Sequence, residues 1–326
     1  MLKRKLFLFI LILISISVFV PAAMSWGFFA HKEINRIAVF TLPPELFGFY
    51  KKNIEFITEH AVDPDKRRYA VKDEAPRHFI DLDRYGASPL DSIPHKWTDA
   101  VAKYTNDTLM AHGIVPWHIE VMTNRLTAAF RSGDFDRILR TSADLGHYIA
   151  DAHVPLHTTR NYNGQLTNQR GIHGFWESRI PELYSEDYDF FVGKAKYIEN
   201  PLETAWEIVG ESFAAKDSVL EFEAELNGKF PTDRKYSFEN RGASVMKVYS
   251  EDYSKAYSTM LDGMVERRMR KAIITVGSYW YTAWINAGQP DLNKFSDKKL
   301  DTATEQELAE QEMQFQNSQI KGRSCD

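Results

Sequence analysis

The sequence predicts an all-α fold that consists of a single mainly helical domain. Three observations support this prediction. Apolar residues recur at helical spacing along most of the chain, strand-like alternation is scarce, and neither an internal repeat nor a clear linker divides the sequence. The 326 residues, 44% hydrophobic and 26% charged, are enough to bury a substantial core and are atypical of disordered or polytopic membrane proteins.

The predicted helices follow one another with loops between them. We expect helices, in chain order, over about 30–38, 116–130, 135–151, 202–226, 240–262 and 265–286. Pro43 and Pro44 stop the first of these, and Pro116 fits the first turn of the second. Proline and glycine cluster over 86–94 and 161–174, where we expect loops.

The first 25 residues differ in kind from the rest of the chain. Three basic residues at 3–5 precede an apolar run over 6–20, and a small-x-small signature ends at Ser25. This order is typical of a secretory signal peptide cleaved before Trp26, and the run is short for a membrane anchor, the competing interpretation. We therefore expect an exported protein, periplasmic or extracellular. Because the lost segment carries three positive charges and no negative ones, the net charge changes from −5 to −8.

Residues 26–295 form the predicted domain, and 296–326 form a polar C-terminal tail that is either loose or a solvated helix. The single cysteine, Cys325, has no partner for an internal disulfide, although an exported protein meets oxidising conditions. Metal ions are another common device for stabilising a fold. The negative net charge gives no general reason to expect nucleic-acid binding.

Five residues in the middle of the chain have the spacing of metal ligands. His147 and Asp151 are four residues apart on a predicted helix, so both side chains project from one face. His157 follows shortly after, and His173 and Glu177 repeat the four-residue spacing. Imidazole nitrogens and carboxylate oxygens are the ligands that zinc accepts where thiolates are absent. A single such pair is more often a surface ion pair, but the second pair close by favours a metal site.

Two upstream segments add further candidate ligands. His78 lies in a short apolar stretch where a buried ring needs a partner, and Asp63 and Asp65 supply carboxylates shortly before it. His31 follows the new N-terminus at Trp26, whose amino group can bind a metal once deprotonated. We assign the remaining histidines to the core or the surface by default: His60, His95, His112, His118 and His153.

In combination, these residues resemble the ligand order of the trinuclear zinc phosphodiesterases. That superfamily joins bacterial zinc-dependent phospholipases C and fungal single-strand-specific zinc nucleases. The shared order is a Trp at the mature N-terminus, an early His, an Asp, a His before Phe-x-Asp, His-x3-Asp-x5-His and His-x3-acid. It extends from Trp26 to Glu177, which is about half of the chain. The resemblance implies a helical domain with a zinc cluster in a cleft between helices.

The resemblance also implies up to three zinc ions per chain. The ligands implied for one ion are Asp65, His78, His147 and Asp151. Those implied for a second are His157, His173 and Glu177. Those implied for a third are the amino group and carbonyl of Trp26, His31, and Asp151 as a bridge. Asp63 is the alternative to Asp65, which is preferred because the family's Asp usually follows a small residue or Pro.

The activity implied by the resemblance is hydrolysis of a phosphoric ester bond by a zinc-activated water, with Asp65 as the catalytic residue that orients or deprotonates this water. Glu177 is similar to the ligand of the phospholipase C branch, whereas the nucleases usually have Asp. A phospholipid head group is therefore the favoured phosphodiester substrate, with transient contact to a membrane surface. Single-stranded nucleic acid is the alternative substrate, and an exported protein with structural zinc and no activity is the non-enzyme alternative. No protein partner is inferred.

Overall fold

Helices make up most of the chain that the structure describes. The computed structural model describes residues 27–241 and 244–321. Its α-helices are, in chain order, α1 (Gly27–Ala38), α2 (Pro44–Lys52), α3 (Ile54–Glu59), α4 (Asp63–Arg67), α5 (Pro89–Ser92), α6 (Trp97–Tyr104), α7 (Asn106–His112), α8 (Val115–Ser132), α9 (Phe135–Ala152), α10 (Ile172–Gly174), α11 (Ile180–Tyr184), α12 (Pro201–Lys229), α13 (Glu251–Met260), α14 (Met264–Asn286) and α15 (Thr302–Asn317). The predicted all-α class is confirmed.

Shorter elements connect these helices. The 3-10 turns are Val39–Thr41, His60–Val62, Ala75–His78, Leu82–Arg84, Pro155–Thr158, Ser185–Asp187, Thr232–Arg234 and Asn293–Phe295. One π-helical turn, Phe175–Arg179, lies between α10 and α11. Two antiparallel strands, β1 (Tyr236–Arg241) and β2 (Ser244–Tyr249), form a hairpin.

The antiparallel pair α8 and α9 lies at the centre of the fold. Gly133, between them, takes the left-handed conformation (φ 65°) that ends α8. Asp134 then caps α9, since its side chain accepts a hydrogen bond from the backbone N–H of Arg137. Because only these two residues separate the helices, α9 folds back along α8 and presents its remaining faces to α1 and α14.

A buried aromatic contact shows how the apolar core holds α9 in place. Trp280 of α14 is fully buried and stacks on Tyr50 of α2, with ring centroids 4.8 Å apart. The Trp280 indole N–H donates to the backbone carbonyl of Ser142 (3.0 Å), and the Tyr50 and Ser142 hydroxyls are hydrogen-bonded (2.8 Å). Both aromatic residues thus bury large apolar rings while their polar atoms find partners on α9.

One predicted helix was partly wrong. The segment 240–262 begins in the β-hairpin, and only its second half is helical, as α13. Val245 and Lys247 lie on one face of β2 while Met246 and Val248 lie on the other, a period of two that suits an extended chain. The helical spacing of buried residues begins only at Tyr253. The helices predicted around 30–38, 116–130, 135–151, 202–226 and 265–286 are all present as α1, α8, α9, α12 and α14.

The polar C-terminal segment contains a helix that contacts the rest of the protein. Of the two alternatives expected from the sequence, a loose tail and a solvated helix, the structure shows a helix, α15. The Gln311 side chain donates to the backbone carbonyl of Asp63 (2.9 Å), and the Phe315 ring lies 5.9 Å from that of Phe28. The predicted loops also contain short helices, since α5 lies within 86–94 and α10 within 161–174.

Three sequence-based predictions fall outside the described residues: the signal peptide over 1–25, the mature N-terminus at Trp26, and the environment of Cys325. Within 27–241 and 244–321, no helix has both the length and the apolar character that a bilayer crossing requires.

Candidate metal centre

The C-terminal end of α9 brings three of the predicted ligands together. His147 and Asp151 lie one turn apart on the same face of α9, and both are buried. The chain then leaves the helix and turns through Pro155–Thr158, which carries His157. The Nδ1–H of His157 donates to the backbone carbonyl of His78 (2.6 Å), so this turn is fixed against the segment that carries the upstream histidine.

The loop before α10 places His173 and Glu177. Gly171 has a φ of 92°, a left-handed conformation that favours glycine, and the Asn163 side-chain oxygen accepts hydrogen bonds from the backbone N–H groups of Gly171 (2.9 Å) and His173 (3.3 Å). Glu177 follows within the π-helical turn Phe175–Arg179, an irregularity that often occurs at functional sites. The two side chains end with His173 Nε2 and Glu177 Oε1 only 3.1 Å apart.

The side chains form two adjacent buried groups. We define the first cluster as His31, Asp65, His78, His147 and Asp151. We define the second cluster as His157, His173 and Glu177. The first cluster contains two overlapping groups, one of His31, Asp65 and His147 and the other of His78, His147 and Asp151. In each of these groups, and in the second cluster, potential ligand atoms lie close enough together to surround a cation.

Asp151 is the central anion of the first cluster. Its Oδ2 lies 2.9 Å from His78 Nδ1 and 3.2 Å from His147 Nε2, and its Oδ1 lies 3.3 Å from His31 Nε2. Asp65 approaches the same group, with its Oδ1 3.8 Å from His78 Nδ1 and 3.9 Å from His147 Nε2. One carboxylate therefore contacts three imidazoles, and a second carboxylate lies beside two of them.

The hydrogen bonds of the second cluster show why its side chains fit a metal ion. His157 Nδ1 faces the carbonyl of His78 and His173 Nδ1 faces the carbonyl of Tyr162 (3.1 Å), and a carbonyl only accepts. Each Nδ1 therefore carries the proton, which leaves a lone pair on each Nε2 of a neutral ring. The two Nε2 atoms lie 3.3 Å apart, and His157 Nε2 is 3.3 Å from Glu177 Oε2. A bound cation would accept the lone pairs of both neutral rings together with a carboxylate oxygen of Glu177.

The same reasoning applies to His147 in the first cluster. Its Nδ1–H donates to the backbone carbonyl of Ala61 (2.8 Å), so Nε2 is the atom that can bind a metal once its own proton has left. That Nε2 faces His78 Nδ1 at 3.0 Å as well as the Asp151 carboxylate. The donor set of nitrogen and oxygen atoms, with no sulfur, is suited to zinc and to other borderline divalent ions.

The electrostatics of the clusters follow from burying opposite charges together. Burial lowers the pKa of His147, but the charges of Asp151 and Asp65 outweigh it and raise the pKa to about 9. Burial raises the pKa of Asp151, yet the charges of His147 and His157 hold it well below its usual range. For Glu177 the histidines of the second cluster outweigh burial and lower the pKa to about 2. Both carboxylates are therefore ionised at neutral pH.

The structure separates the two candidate aspartates. Asp63 accepts a hydrogen bond from His60 Nδ1 (2.7 Å) and lies 3.7 Å from Lys66 Nζ, away from both clusters. Asp65 lies in the first cluster, one helical turn from Arg68. Trp26, the remaining predicted ligand, lies outside the described residues. The histidines assigned by default to core or surface, His60, His95, His112, His118 and His153, lie in none of the groups that the described residues form.

Sequence reasoning missed a buried carboxylate behind the first cluster. Glu74 is fully buried, and its Oε1 lies 3.7 Å from His78 Nε2, the ring nitrogen that faces away from Asp151. The same carboxylate accepts a hydrogen bond from Tyr148 and pairs with Arg67 (3.6 Å). The four-residue spacing of Glu74 and His78 is the signal that would have found it.

No protein-family model matches the chain, and no curated protein is significantly similar to it.

Proposed function

We propose that this protein is a zinc-dependent phosphodiesterase, phospholipase C-like in its substrate. The observation that carries the proposal is the pair of adjacent buried clusters, in which imidazole nitrogens and carboxylate oxygens lie close enough together to bind metal ions. The resemblance of the ligand order to trinuclear zinc phosphodiesterases supports the choice of reaction. A second candidate, cleavage of single-stranded nucleic acid, uses the same clusters and differs in what lies beside the phosphate.

The proposed assignment of ligands follows the two clusters. The first cluster would hold one ion through Asp65, His78, His147 and Asp151. The second would hold another through His157, His173 and Glu177. His31, whose Nε2 is 3.3 Å from Asp151 Oδ1, would share a third ion with that carboxylate and with the mature N-terminus at Trp26. Bound zinc lowers the pKa of a coordinated water and stabilises negative charge on the leaving oxygen of a phosphodiester.

We propose that Asp65 orients the attacking water or accepts its proton. Its side chain is 13% exposed, compared with 3% for Asp151 and 9% for Glu177, so it is the most accessible of the three carboxylates. Burial raises its pKa, but the charges of His147, His78 and Arg68 outweigh this effect and lower it. The carboxylate is therefore ionised at neutral pH and can accept or orient a proton.

The second cluster favours catalysis over a purely structural role. Structural zinc sites are usually closed by four protein ligands, whereas catalytic ones keep a position for water or substrate. Three described side chains, His157, His173 and Glu177, make up this cluster. If its metal is catalytic, His157→Ala will leave a folded protein with one fewer metal ion and little activity. If the metal is structural, the same variant will lose its fold.

The direct test uses mature, zinc-loaded protein that begins at Trp26. Hydrolysis of phosphatidylcholine, of single-stranded DNA and of the soluble diester bis(p-nitrophenyl) phosphate is measured side by side, with a chelator control and zinc add-back. We expect chelator-sensitive cleavage of the lipid and of the soluble diester. Cleavage of DNA without cleavage of lipid would replace the phospholipase assignment with the nuclease, and no cleavage of any of the three would contradict the proposal.

A further inference from the structure

The β-hairpin has one face that the rest of the protein leaves largely uncovered. Side chains at alternate positions of a strand share a face, so Tyr236, Phe238 and Asn240 of β1 lie on this one. Their partners on β2 lie on the same face: Tyr249, Lys247 and Val245, respectively. Phe238 is 72% exposed and Val245 is 65% exposed, while Tyr236 is 36% exposed. A single exposed apolar side chain is common on a protein surface, but three large ones together are unusual.

This uncovered face ends at a residue that packs beside the second cluster. Tyr249, at the base of the same face, stacks on Phe175 with ring centroids 3.8 Å apart. Phe175 lies between His173 and Glu177 in the sequence and in the helical turn that carries them. The hairpin that carries the exposed Phe238 and Val245 is therefore packed against the segment that carries His173 and Glu177.

An ion pair holds the hairpin in that position. Arg179, two residues after Glu177, forms a bidentate pair with Glu239 of β1, and its Nε–H donates to the backbone carbonyl of Tyr249 (3.1 Å). The Arg179 side chain is buried and the Glu239 side chain is about one-third exposed, so the pair is partly shielded from solvent. The only acidic side chain of the two strands is thus neutralised on the face opposite Phe238.

The charge left on the uncovered face is positive. Lys247 lies directly opposite Phe238, and its Nζ sits over the Tyr236 ring, 3.8 Å from the centroid. Among the described residues, Lys247 makes no ion pair with a carboxylate. At the base of the hairpin, Lys235 is held by Glu223 at 2.8 Å. A surface of aromatic and aliphatic side chains with an unpaired lysine matches the interface of a bilayer, where rings enter the boundary region and lysine meets phosphate.

We infer that this hairpin face is a docking surface for a phospholipid bilayer. Phe238 and Val245 enter the boundary between head groups and acyl chains, Tyr236 lies at the level of the head groups, and Lys247 contacts lipid phosphate. The delivery of lipid to the metal clusters by docking rests on the proposed function. The docking itself does not depend on that function. Because Arg179 and Phe175 anchor the hairpin next to Glu177, the docked protein faces the membrane with the second cluster close to the lipid surface.

The test measures binding and catalysis separately. Mature, zinc-loaded protein is co-sedimented with vesicles of phosphatidylcholine and phosphatidylglycerol, and hydrolysis of bis(p-nitrophenyl) phosphate is measured in solution. The double variant Phe238→Ser with Val245→Ser should bind vesicles about tenfold more weakly or worse and should hydrolyse the soluble diester at the wild-type rate. Lys247→Glu should weaken binding most at low salt, because surface charge is screened by ions. Met313→Ser, an exposed position on α15, is the matched control and should change neither measurement.

The outcomes distinguish the two proposals. Equal sedimentation of the wild type and the double variant would overturn the docking surface. Binding of a single-stranded oligonucleotide is measured in parallel. If the double variant loses this binding while its vesicle binding stays intact, the face is a nucleic-acid surface and the docking proposal is overturned. Hairpin-dependent vesicle binding by a protein that cleaves no phosphodiester would support the docking surface and refute the proposed function.

Discussion

Binding of zinc to the first cluster should release protons, and the apparent affinity should therefore rise with pH. His147 dominates this dependence. Burial lowers its pKa, but the charges of Asp151 and Asp65 outweigh burial and raise it to about 9. Its Nδ1–H is fixed on the carbonyl of Ala61, so the proton that a metal must displace is the one on Nε2, which faces Asp151.

The size of the effect follows from the distance between that pKa and the working pH. At pH 7 a group with a pKa of about 9 is almost fully protonated, so displacing its proton costs roughly 3 kcal/mol. The apparent zinc affinity should therefore increase about tenfold per pH unit from pH 6 towards pH 9 and then level off. The raised pKa of His157 adds proton release at the second cluster, where burial is outweighed by Asp151 and Glu177.

The stability of the metal-free protein should change in the opposite direction. The pKa of His147 is raised above its ordinary value of 6.5, so the stabilisation from its protonated form is complete below about pH 6.5 and is lost as the pH rises through about 9. The increase in melting temperature on adding zinc should consequently be larger at pH 8 than at pH 6.

Isothermal titration calorimetry in buffers of different ionisation enthalpy measures the number of protons released. Chelator competition between pH 6 and pH 8 measures the slope of log affinity against pH. His95→Gln is the control, because His95 pairs with Glu203 outside both clusters and its loss should leave the slope unchanged. A slope of zero with no proton release would refute the assignment of His147 as a protonated ligand in the metal-free protein.

Three other substitutions, two of them with a matched control, test the site and the packing around it. Asp65→Asn should remove one zinc ion by elemental analysis, whereas Asp63→Asn, the same charge change two residues away, should leave the zinc content unchanged; the reverse result would exchange their roles. Glu74→Gln should weaken zinc binding to the first cluster by about 10- to 100-fold in chelator competition, because it removes the carboxylate behind His78, a proposed ligand, and an unaltered affinity would count against that role. Gly277→Ala should lower the free energy of unfolding in urea by about 1–3 kcal/mol, because its Cβ would lie 1.9 Å from a threonine hydroxyl of the neighbouring turn. Gly228→Ala meets open space and should not destabilise the protein.

Several features of the protein could be predicted from residue spacing alone. The helix that carries His147 and Asp151 is a local structure whose apolar periodicity is visible in the sequence, and the four-residue spacing places both side chains on one face whatever surrounds them. The pair His173 and Glu177 follows the same rule. The segment 240–262, which was predicted to be entirely helical, shows the limit of that reasoning. Its strand residues are too few to show a clear period of two, and a helical spacing of apolar residues begins directly after them at Tyr253.

Contacts between distant parts of the chain were decided only by the tertiary structure. Asp63 and Asp65 are two residues apart and chemically identical, and only the resemblance to a family gave a reason to prefer Asp65. The packing of α4 against α9 and α15 turns Asp65 towards the clusters and Asp63 towards His60.

The sequence by itself determined which residue types could bind a metal and which pairs share a helical face. Only the fold determined that Glu74 supports His78 and that the hairpin is anchored to the turn of Glu177. The physical reason is that a helix fixes the neighbours of a residue within one turn, whereas neighbours across the chain depend on how the buried surfaces of many helices fit together.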